Sequence, residues 1–331
     1  MARKNPRYLA RNFAISSLFA SLLIGFLTPI SADALVLSRP ATHWGNVYAG
    51  PASSANQTAK PKATYLEKKS KIVVKYNNFP EWTKVQVQAA VDVWAANFES
   101  KVPIYIDATW GRSSSFSVLG SARPGSYFAN FSGAPDSSLW YPSALANALA
   151  GKDLDGDNPE MIITVNSLAN WYRGTGVGPS KTEYDLQSVI LHEMAHGLGF
   201  LSTDSYDSFF GYGSIDQPTP YDAYVQTGDG RRLSDLPSPS LELGEALTSK
   251  LVWSGALGIA ANGGVKPLLY SPKKYDDGSS ISHLDEATFD NSGKHSVMSP
   301  NLEAGEVFHD PGPLLLAMMQ DLRTKPPVGI A

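Results

Sequence analysis

The sequence contains no cysteine among its 331 residues. Without thiols the protein can form no disulfide bonds and has no thiolate nucleophile and no cysteine ligand for a metal ion. An inhibitory segment that caps a metal with a thiolate is excluded for the same reason. Any catalysis, metal binding or latency must therefore depend on other side chains.

A strong net charge is also absent. The formal net charge is -4, while 43% of the residues are hydrophobic and 18% are charged. This composition favours a folded chain with a sizeable core, arranged as one large domain or two small ones. It gives no support to a nucleic-acid partner, which would require a basic surface.

No apolar run is long enough to span a membrane. The longest run, residues 13–27, has about 15 residues, whereas a spanning helix needs roughly 20. Arg3, Lys4 and Arg7 precede the run, and Ala32-Asp33-Ala34 follows it as a small-residue cleavage site. The pattern predicts a signal peptide over residues 1–34. The mature protein is then exported to the periplasm or the extracellular space, with no membrane anchor.

The rest of the chain divides by composition and hydrophobic periodicity. Residues 35–70 are rich in Ala, Ser, Thr, Pro and Lys, which predicts either a linker or a short pro-segment. We expect an N-terminal catalytic subdomain over residues 71–201, a C-terminal subdomain over residues 202–323 and a tail over residues 324–331.

Within these regions the periodicity predicts both strands and helices. A strand at residues 72–76, a helix from Thr83 to about Ser100 and a strand from Pro103 to Trp110 indicate a crossover unit in a mixed sheet. Residues 111–150 give no clear pattern. Later elements are a strand at Glu160–Val165, a helix within Ser180–Leu201, a helix around Leu241–Lys250 and a closing helix at Leu314–Leu322.

The most specific pattern is His192-Glu193-Met194-Ala195-His196. Residues four apart on a helix share one face, so His192 and His196 can bind one ion while Glu193 stays close to its bound water. Ser180 with Glu183, or alternatively Asp185, can cap this helix. H-E-x-x-H is typical of zinc peptidases, in which the carboxylate takes a proton from the zinc-bound water. The pattern predicts His192 and His196 as zinc ligands and Glu193 as the general base.

A catalytic zinc site requires a third protein ligand. Gly199 matches the glycine of the metzincin pattern H-E-x-x-H-x-x-G-x-x-H, but Ser202 stands where the last histidine would be. The remaining candidates are His283, the runner-up His295, the aspartates Asp204 and Asp207, and, in a thermolysin-like arrangement, Glu242 and Glu245. His309, just before the closing helix, is expected to orient that helix.

His283 lies in the segment Ser282-His283-Leu284, and Ser296-Val297-Met298-Ser299-Pro300 follows it. Together with the closing segment Leu315–Leu322, these residues resemble the leishmanolysin group of metzincins. In that group a long insertion displaces the third histidine, and a methionine turn follows soon afterwards. The resemblance covers roughly residues 180–202 and 278–322. The chain departs from the group in lacking cysteine, so the group's disulfides and thiol switch are missing.

The resemblance implies His283 as the third zinc ligand and Met298 as a packing residue beneath the metal. It also implies an α+β, metzincin-type zincin fold. In that fold a twisted mixed sheet and the active-site helix form the N-terminal subdomain, beside a loop-rich C-terminal subdomain. The strand at Glu160–Val165 is the expected edge for pairing with an extended substrate, and Trp171 and Tyr172 are candidate cleft residues.

The expected function is that of a secreted zinc endopeptidase acting on protein or peptide substrates. The alternative is a non-catalytic, metzincin-like module for zinc binding or adhesion, against which the intact Glu193 argues. Ca²⁺ is a further candidate ligand because Asp153–Asn158 resembles a calcium loop. Gly156 is out of phase with the glycine of an EF-hand, so the pattern favours a solvated turn.

Overall fold

The computed structural model describes residues 35–52, 67–113, 115–174, 178–289 and 296–327. The predicted signal peptide over residues 1–34 and the runner-up ligand His295 lie outside these ranges. Within them, no helix is both long enough and apolar enough to cross a membrane.

Strands occur along the whole described chain, and many are short. They are β1 (Leu37–Pro40), β2 (Gly45–Ala52), β3 (Ile72–Asn77), β4 (Ile104–Gly111), β5 (Val118–Pro124), β6 (Ser126–Ala129), β7 (Tyr141–Pro142), β8 (Met161–Asn166), β9 (Asp204–Asp207), β10 (Tyr212–Ile215), β11 (Val225–Thr227), β12 (Leu251–Trp253) and β13 (Asn301–Ala304).

Among the described residues, two helices have more than ten residues and the others are shorter. They are α1 (Glu81–Asn97), α2 (Ser143–Ala150), α3 (Leu186–Leu198), α4 (Pro220–Tyr224), α5 (Leu241–Leu247), α6 (Ala256–Ala261), α7 (Glu286–Phe289) and α8 (Gly312–Asp321), with short 3-10 turns at Leu233–Asp235 and Ser296–Met298.

The central feature is a six-stranded sheet in the order β13-β2-β5-β8-β4-β3. Strands β3, β4 and β8 are parallel to one another, whereas β5 is antiparallel to both of its neighbours, β8 and β2. Strand β13 then pairs parallel with β2. The predicted α+β class with a twisted mixed sheet is confirmed.

Helix α1 packs against α3 beside this sheet. Its buried face includes Val87, Val91 and Trp94, and the Trp94 indole donates a hydrogen bond to the Leu191 carbonyl at 2.9 Å. The helix begins at Glu81, directly after Pro80, and not at Thr83 as predicted. The Thr83 hydroxyl instead donates to the Pro80 carbonyl, as a residue of the first turn.

Helix α3 carries the H-E-x-x-H motif and begins after the second of the two predicted caps. Asp185 is its N-cap and accepts a hydrogen bond from the Ser188 amide at 2.9 Å. The Glu183 carboxylate does accept from the Ser180 amide, at 3.0 Å, but within a turn that precedes the helix. The helix ends at Gly199, whose φ of 125° suits glycine.

The predicted substrate edge was wrong. Strand β8 lies inside the sheet, hydrogen-bonded to β4 on one side and to β5 on the other. Its apolar run, Met161-Ile162-Ile163, is typical of a strand covered on both faces, and such a run does not reveal how many neighbours a strand has. Strand β5, from the region without a clear pattern, separates β8 from β2, which lies in the predicted linker or pro-segment.

Candidate metal centre

The structure brings His192, His196 and His283 together. The first two project from one face of α3, and His283 comes from the loop before α7. The Nε2 atoms of His192 and His196 are 3.0 Å apart, and the Nε2 atom of His283 lies 3.1 and 3.2 Å from them. All three side chains are buried.

Each imidazole is held through its other nitrogen by a backbone carbonyl. The Nδ1 atom of His192 is 2.5 Å from the carbonyl oxygen of Val297. The Nδ1 atom of His196 is 2.7 Å from that of Phe200, and the Nδ1 atom of His283 is 2.8 Å from that of Ser279. A carbonyl can only accept, so Nδ1 carries the proton and Nε2 presents a lone pair.

Burial keeps these imidazoles neutral. It lowers the pKa of His196 to about 4, and it lowers the pKa values of His192 and His283 well below the usual value. Three lone pairs that face one another repel unless a cation lies between them. Nitrogens bound at about 2.0–2.1 Å to one tetrahedral ion would be roughly 3.3 Å apart. The observed separations are close to that value, so the three residues fit a single metal ion.

Glu193 projects from the same helix but is not part of the histidine cluster. Its side chain is fully buried, and its Oε1 atom accepts a hydrogen bond from the Val47 amide at 3.2 Å. Its Oε2 atom has no hydrogen-bond partner among the described residues. Burial raises the pKa of this carboxyl group well above its ordinary value, and the Val47 amide opposes the shift. A carboxyl group whose pKa is raised in this way takes up a proton more readily than an exposed one.

Met298 lies in the 3-10 turn Ser296–Met298 and is completely buried. The carbonyl of Val297 accepts from His192, and the carbonyl of Met298 accepts from the Leu284 amide at 2.8 Å. Because Leu284 is adjacent to His283, this one turn fixes two of the three histidines. The structure therefore places the turn Ser296–Met298 against the histidine cluster, with the Met298 side chain in the core.

The alternative carboxylate ligands lie elsewhere. Asp204 is buried beside Ser202 and accepts from the Tyr275 hydroxyl at 3.0 Å. Asp207 accepts from the Phe209 amide at 2.8 Å. Glu242 pairs with Arg231, and Glu245 is exposed. None of these carboxylates belongs to the histidine cluster.

His309 connects the closing helix to the motif helix. Its Nε2 atom is 2.7 Å from Oδ2 of Asp185, the cap of α3. The residue lies just before α8, so it ties the start of α8 to the start of α3. This contact agrees with the orienting role predicted for it.

Trp171, a candidate cleft residue, belongs to the core. Its side chain is buried, its indole donates to the Asn166 carbonyl at 2.8 Å, and its ring packs on Trp110. The carbonyl of its neighbour Tyr172 accepts from Gln86 at 3.1 Å.

The candidate calcium loop brings the carboxylates of Asp153, Asp155 and Glu160 within 4.8 Å of one another. Burial raises the pKa of Asp155 to about 6 and that of Glu160 to about 7. Protein donors already occupy both oxygens of Glu160, which accepts from the Tyr105 amide at 2.6 Å and from Asn147 at 3.0 Å. Asp153 accepts from backbone amides of its own turn. Asp153 and Glu160 thus hold the turn, whereas both buried oxygens of Asp155 have no hydrogen-bond partner among the described residues.

Sequence reasoning missed the contribution of β2. A Cβ atom on Gly45 would lie 2.3 Å from the His196 ring, so only glycine fits there without displacement. Two residues later, the Val47 amide donates to Glu193. No local pattern in residues 45–47 indicates a contact with residues so far along the chain.

Comparisons with protein-family models, with curated proteins and with solved structures find no match to this chain. The interpretation of the centre therefore depends on its own residues and geometry.

Proposed function

We propose that this protein is a zinc-dependent endopeptidase of the metzincin type, resembling the leishmanolysin group, and that it is exported after loss of its signal peptide. The observation that carries the proposal is the convergence of three buried, neutral imidazoles. Their Nε2 atoms face one another within 3.2 Å, and their Nδ1 atoms are anchored to carbonyls. Burying three lone pairs that face one another is unfavourable unless a cation binds between them.

The donor set favours zinc. Neutral imidazole is a preferred zinc ligand, and three protein ligands leave a coordination position open, which distinguishes catalytic from structural zinc sites. When bound there, zinc polarises the scissile carbonyl and lowers the pKa of water towards about 7. The protein's own contribution is to hold the three imidazoles in one tautomer through Val297, Phe200 and Ser279.

Glu193 has the properties of the proton carrier. Its raised pKa lets it accept a proton from the attacking water and later donate that proton to the leaving amine. Its Oε1 atom already contacts a backbone amide nitrogen, that of Val47, at 3.2 Å. The carboxylate is therefore within reach of the kind of atom that leaves when a peptide bond breaks.

A paired substitution tests the mechanism. We expect Glu193→Ala to bind one zinc ion per chain and to cleave a quenched peptide about 10²–10⁴-fold more slowly, because the proton carrier is lost. The matched control is Glu245→Ala, which removes an exposed glutamate and should retain full activity that a chelator abolishes. A Glu193→Ala variant as active as the control would show that the mechanism is wrong.

The coverage of Glu193 by β2 also suits the second candidate, a non-catalytic zinc-binding module. That module would bind zinc at the three histidines and would cleave no peptide in either variant. The peptide assay on zinc-loaded native protein therefore separates the two functions.

A further inference from the structure

Strand β2 lies in a groove between two elements that belong to the candidate metal centre. It runs antiparallel to β5, whose Gly120 is next to Glu193, and parallel to β13, which follows the methionine turn. Backbone amides of β2 donate hydrogen bonds to residues on both of its sides. The Tyr48 amide donates to the Pro300 carbonyl at 2.9 Å, and the Ala49 amide donates to the Ser117 carbonyl at 2.6 Å. An extended segment of the chain thus occupies the groove as an added strand would.

The ladder between β2 and β5 is interrupted between Val47 and Tyr48. At this irregularity the Val47 amide donates to Oε1 of Glu193, at 3.2 Å, instead of continuing the ladder. The backbone nitrogen of Val47 therefore contacts the proposed proton carrier, and no other backbone amide of β2 does so among the described contacts.

The residues before Val47 contact the histidines. Gly45 packs against the His196 ring so closely that a Cβ atom would lie 2.3 Å from it. The Asn46 amide donates to the Gly278 carbonyl at 3.0 Å, in the loop that leads to His283. The peptide bond between Asn46 and Val47 consequently lies between the histidine cluster and Glu193.

The Val47 side chain lies in a small enclosed pocket beside the centre. Only 2% of its surface is exposed, and a residual cavity of about 10 Å³ is left there. A substrate residue that directly follows a scissile bond would place its side chain in a pocket in the same way. Apart from Val47, the pocket is lined by Ser188, Val189, His192, Val297, Asn301, Leu302 and Phe308.

We infer that Asn46–Val47 is a scissile bond and that the protein cleaves its own chain there. The inference rests on the proposed function. Water adds to the Asn46 carbonyl carbon, and the bond from that carbon to the Val47 nitrogen breaks. Glu193 takes a proton from the water and passes it to the Val47 nitrogen. The products are a carboxylate at Asn46 and a new amino terminus at Val47, and no further reactant is required.

In the intact chain, β2 occupies the groove that another peptide would need. The carboxyl product has room to move, because a cavity of about 530 Å³ adjoins Asn46 and is lined by His43, Trp44, Ser121 and Ser202, among others. Latency then depends on occupation of the groove by the chain itself, which requires no cysteine.

N-terminal sequencing of the full chain after zinc addition tests the inference. We expect a new amino terminus at Val47 in the native protein and in Glu245→Ala, at a rate independent of protein concentration, and none in Glu193→Ala. Val47→Pro should remain uncleaved at this bond because it has no amide hydrogen for Glu193. Val36→Pro, the same substitution at an exposed position upstream of β1, should be processed normally.

The outcomes separate this inference from the proposed function. If a quenched peptide is cleaved while Asn46–Val47 stays intact, self-cleavage is wrong and the endopeptidase proposal stands. If neither is cleaved, both are wrong.

A second measurement does not depend on cleavage or on the folding of a variant. In the metal-free native chain, we expect the Val47 amide hydrogen to exchange with solvent as slowly as the amides of β5. Exchange at the rate of an unprotected amide would overturn the placement of this bond in the groove.

Discussion

The Nδ1 atom of His192 donates a hydrogen bond to the carbonyl of Val297 at 2.5 Å, joining the motif helix to the turn that contains Met298. The orientation of a proposed metal ligand is thus set by backbone from the other end of the chain. Because Met298 is completely buried, its packing holds that backbone in place. Changes to Met298 should therefore affect both stability and metal affinity.

We expect Met298→Ala to lower the free energy of unfolding by about 2–5 kcal/mol, since it removes a buried side chain and leaves a cavity. The shift of the Val297 carbonyl should also weaken zinc binding by roughly 10–100-fold. Met298→Leu keeps the volume and should cost less than about 1.5 kcal/mol. Denaturant unfolding and a competitive zinc titration measure the two effects, and equal zinc affinity in both variants would contradict the account.

The cap of the motif helix gives a second prediction. Asp185 accepts from the Ser188 amide and also contacts His309. Asp185→Ala should cost about 1–2 kcal/mol of stability, as the loss of an N-cap does. Glu183→Ala, in the exposed turn before the helix, should cost less than about 0.5 kcal/mol. Thermal unfolding of the two variants measures both losses. A larger loss of stability for Glu183→Ala would indicate that Ser180 with Glu183 caps the helix instead.

A pair of buried aspartates gives a third prediction. The Ser202 hydroxyl lies within hydrogen-bonding distance of both Asp204 and Asp222, and burial together with the neighbouring Asp222 raises the pKa of Asp204 from 3.8 to about 7. Between these values the folded protein binds more protons than the unfolded chain. The contribution of Asp204 to stability is therefore fully present below about pH 4 and is lost as the pH rises through about 7.

Asp204→Asn removes this titration. The Tm of the native protein minus that of the variant should fall between about pH 4 and pH 7, by at most the equivalent of about 1.4 kcal/mol per pH unit. Scanning calorimetry of both proteins across this range measures the difference. A difference that stays constant or grows with pH would show that Asp204 titrates at its ordinary pKa.

The metal centre could be predicted from the sequence because its signals are local. His192 and His196 are spaced for one helical face, and His283 and Met298 stand in recognisable short segments. The three histidines do meet in the structure. The signals for α1, β3, β4 and β8 were likewise local, being runs of period 3.6 or of buried β-branched residues, and errors were confined to the ends of elements.

The order of the sheet could not be predicted in this way. The neighbours of β8 are chosen by contacts with segments distant in sequence, so its apolar run gave no sign that β5 would cover the expected substrate edge. Gly45 and Val47 likewise carry no recognisable sequence signal, because their role depends on how closely they approach His196 and Glu193 in the fold. Residues 35–70 have a composition typical of a linker, and β2, the strand that lies against the centre, could not be recognised within them.

The central claim, that three histidines hold one zinc ion, is tested most directly by locating the metal in crystals of the zinc-loaded protein from anomalous scattering at the zinc edge. We predict one strong peak about 2.0–2.1 Å from the Nε2 atoms of His192, His196 and His283, and its loss in His283→Ala. A peak coordinated by Asp204 or by a glutamate instead, or a peak unchanged in His283→Ala, would contradict the account.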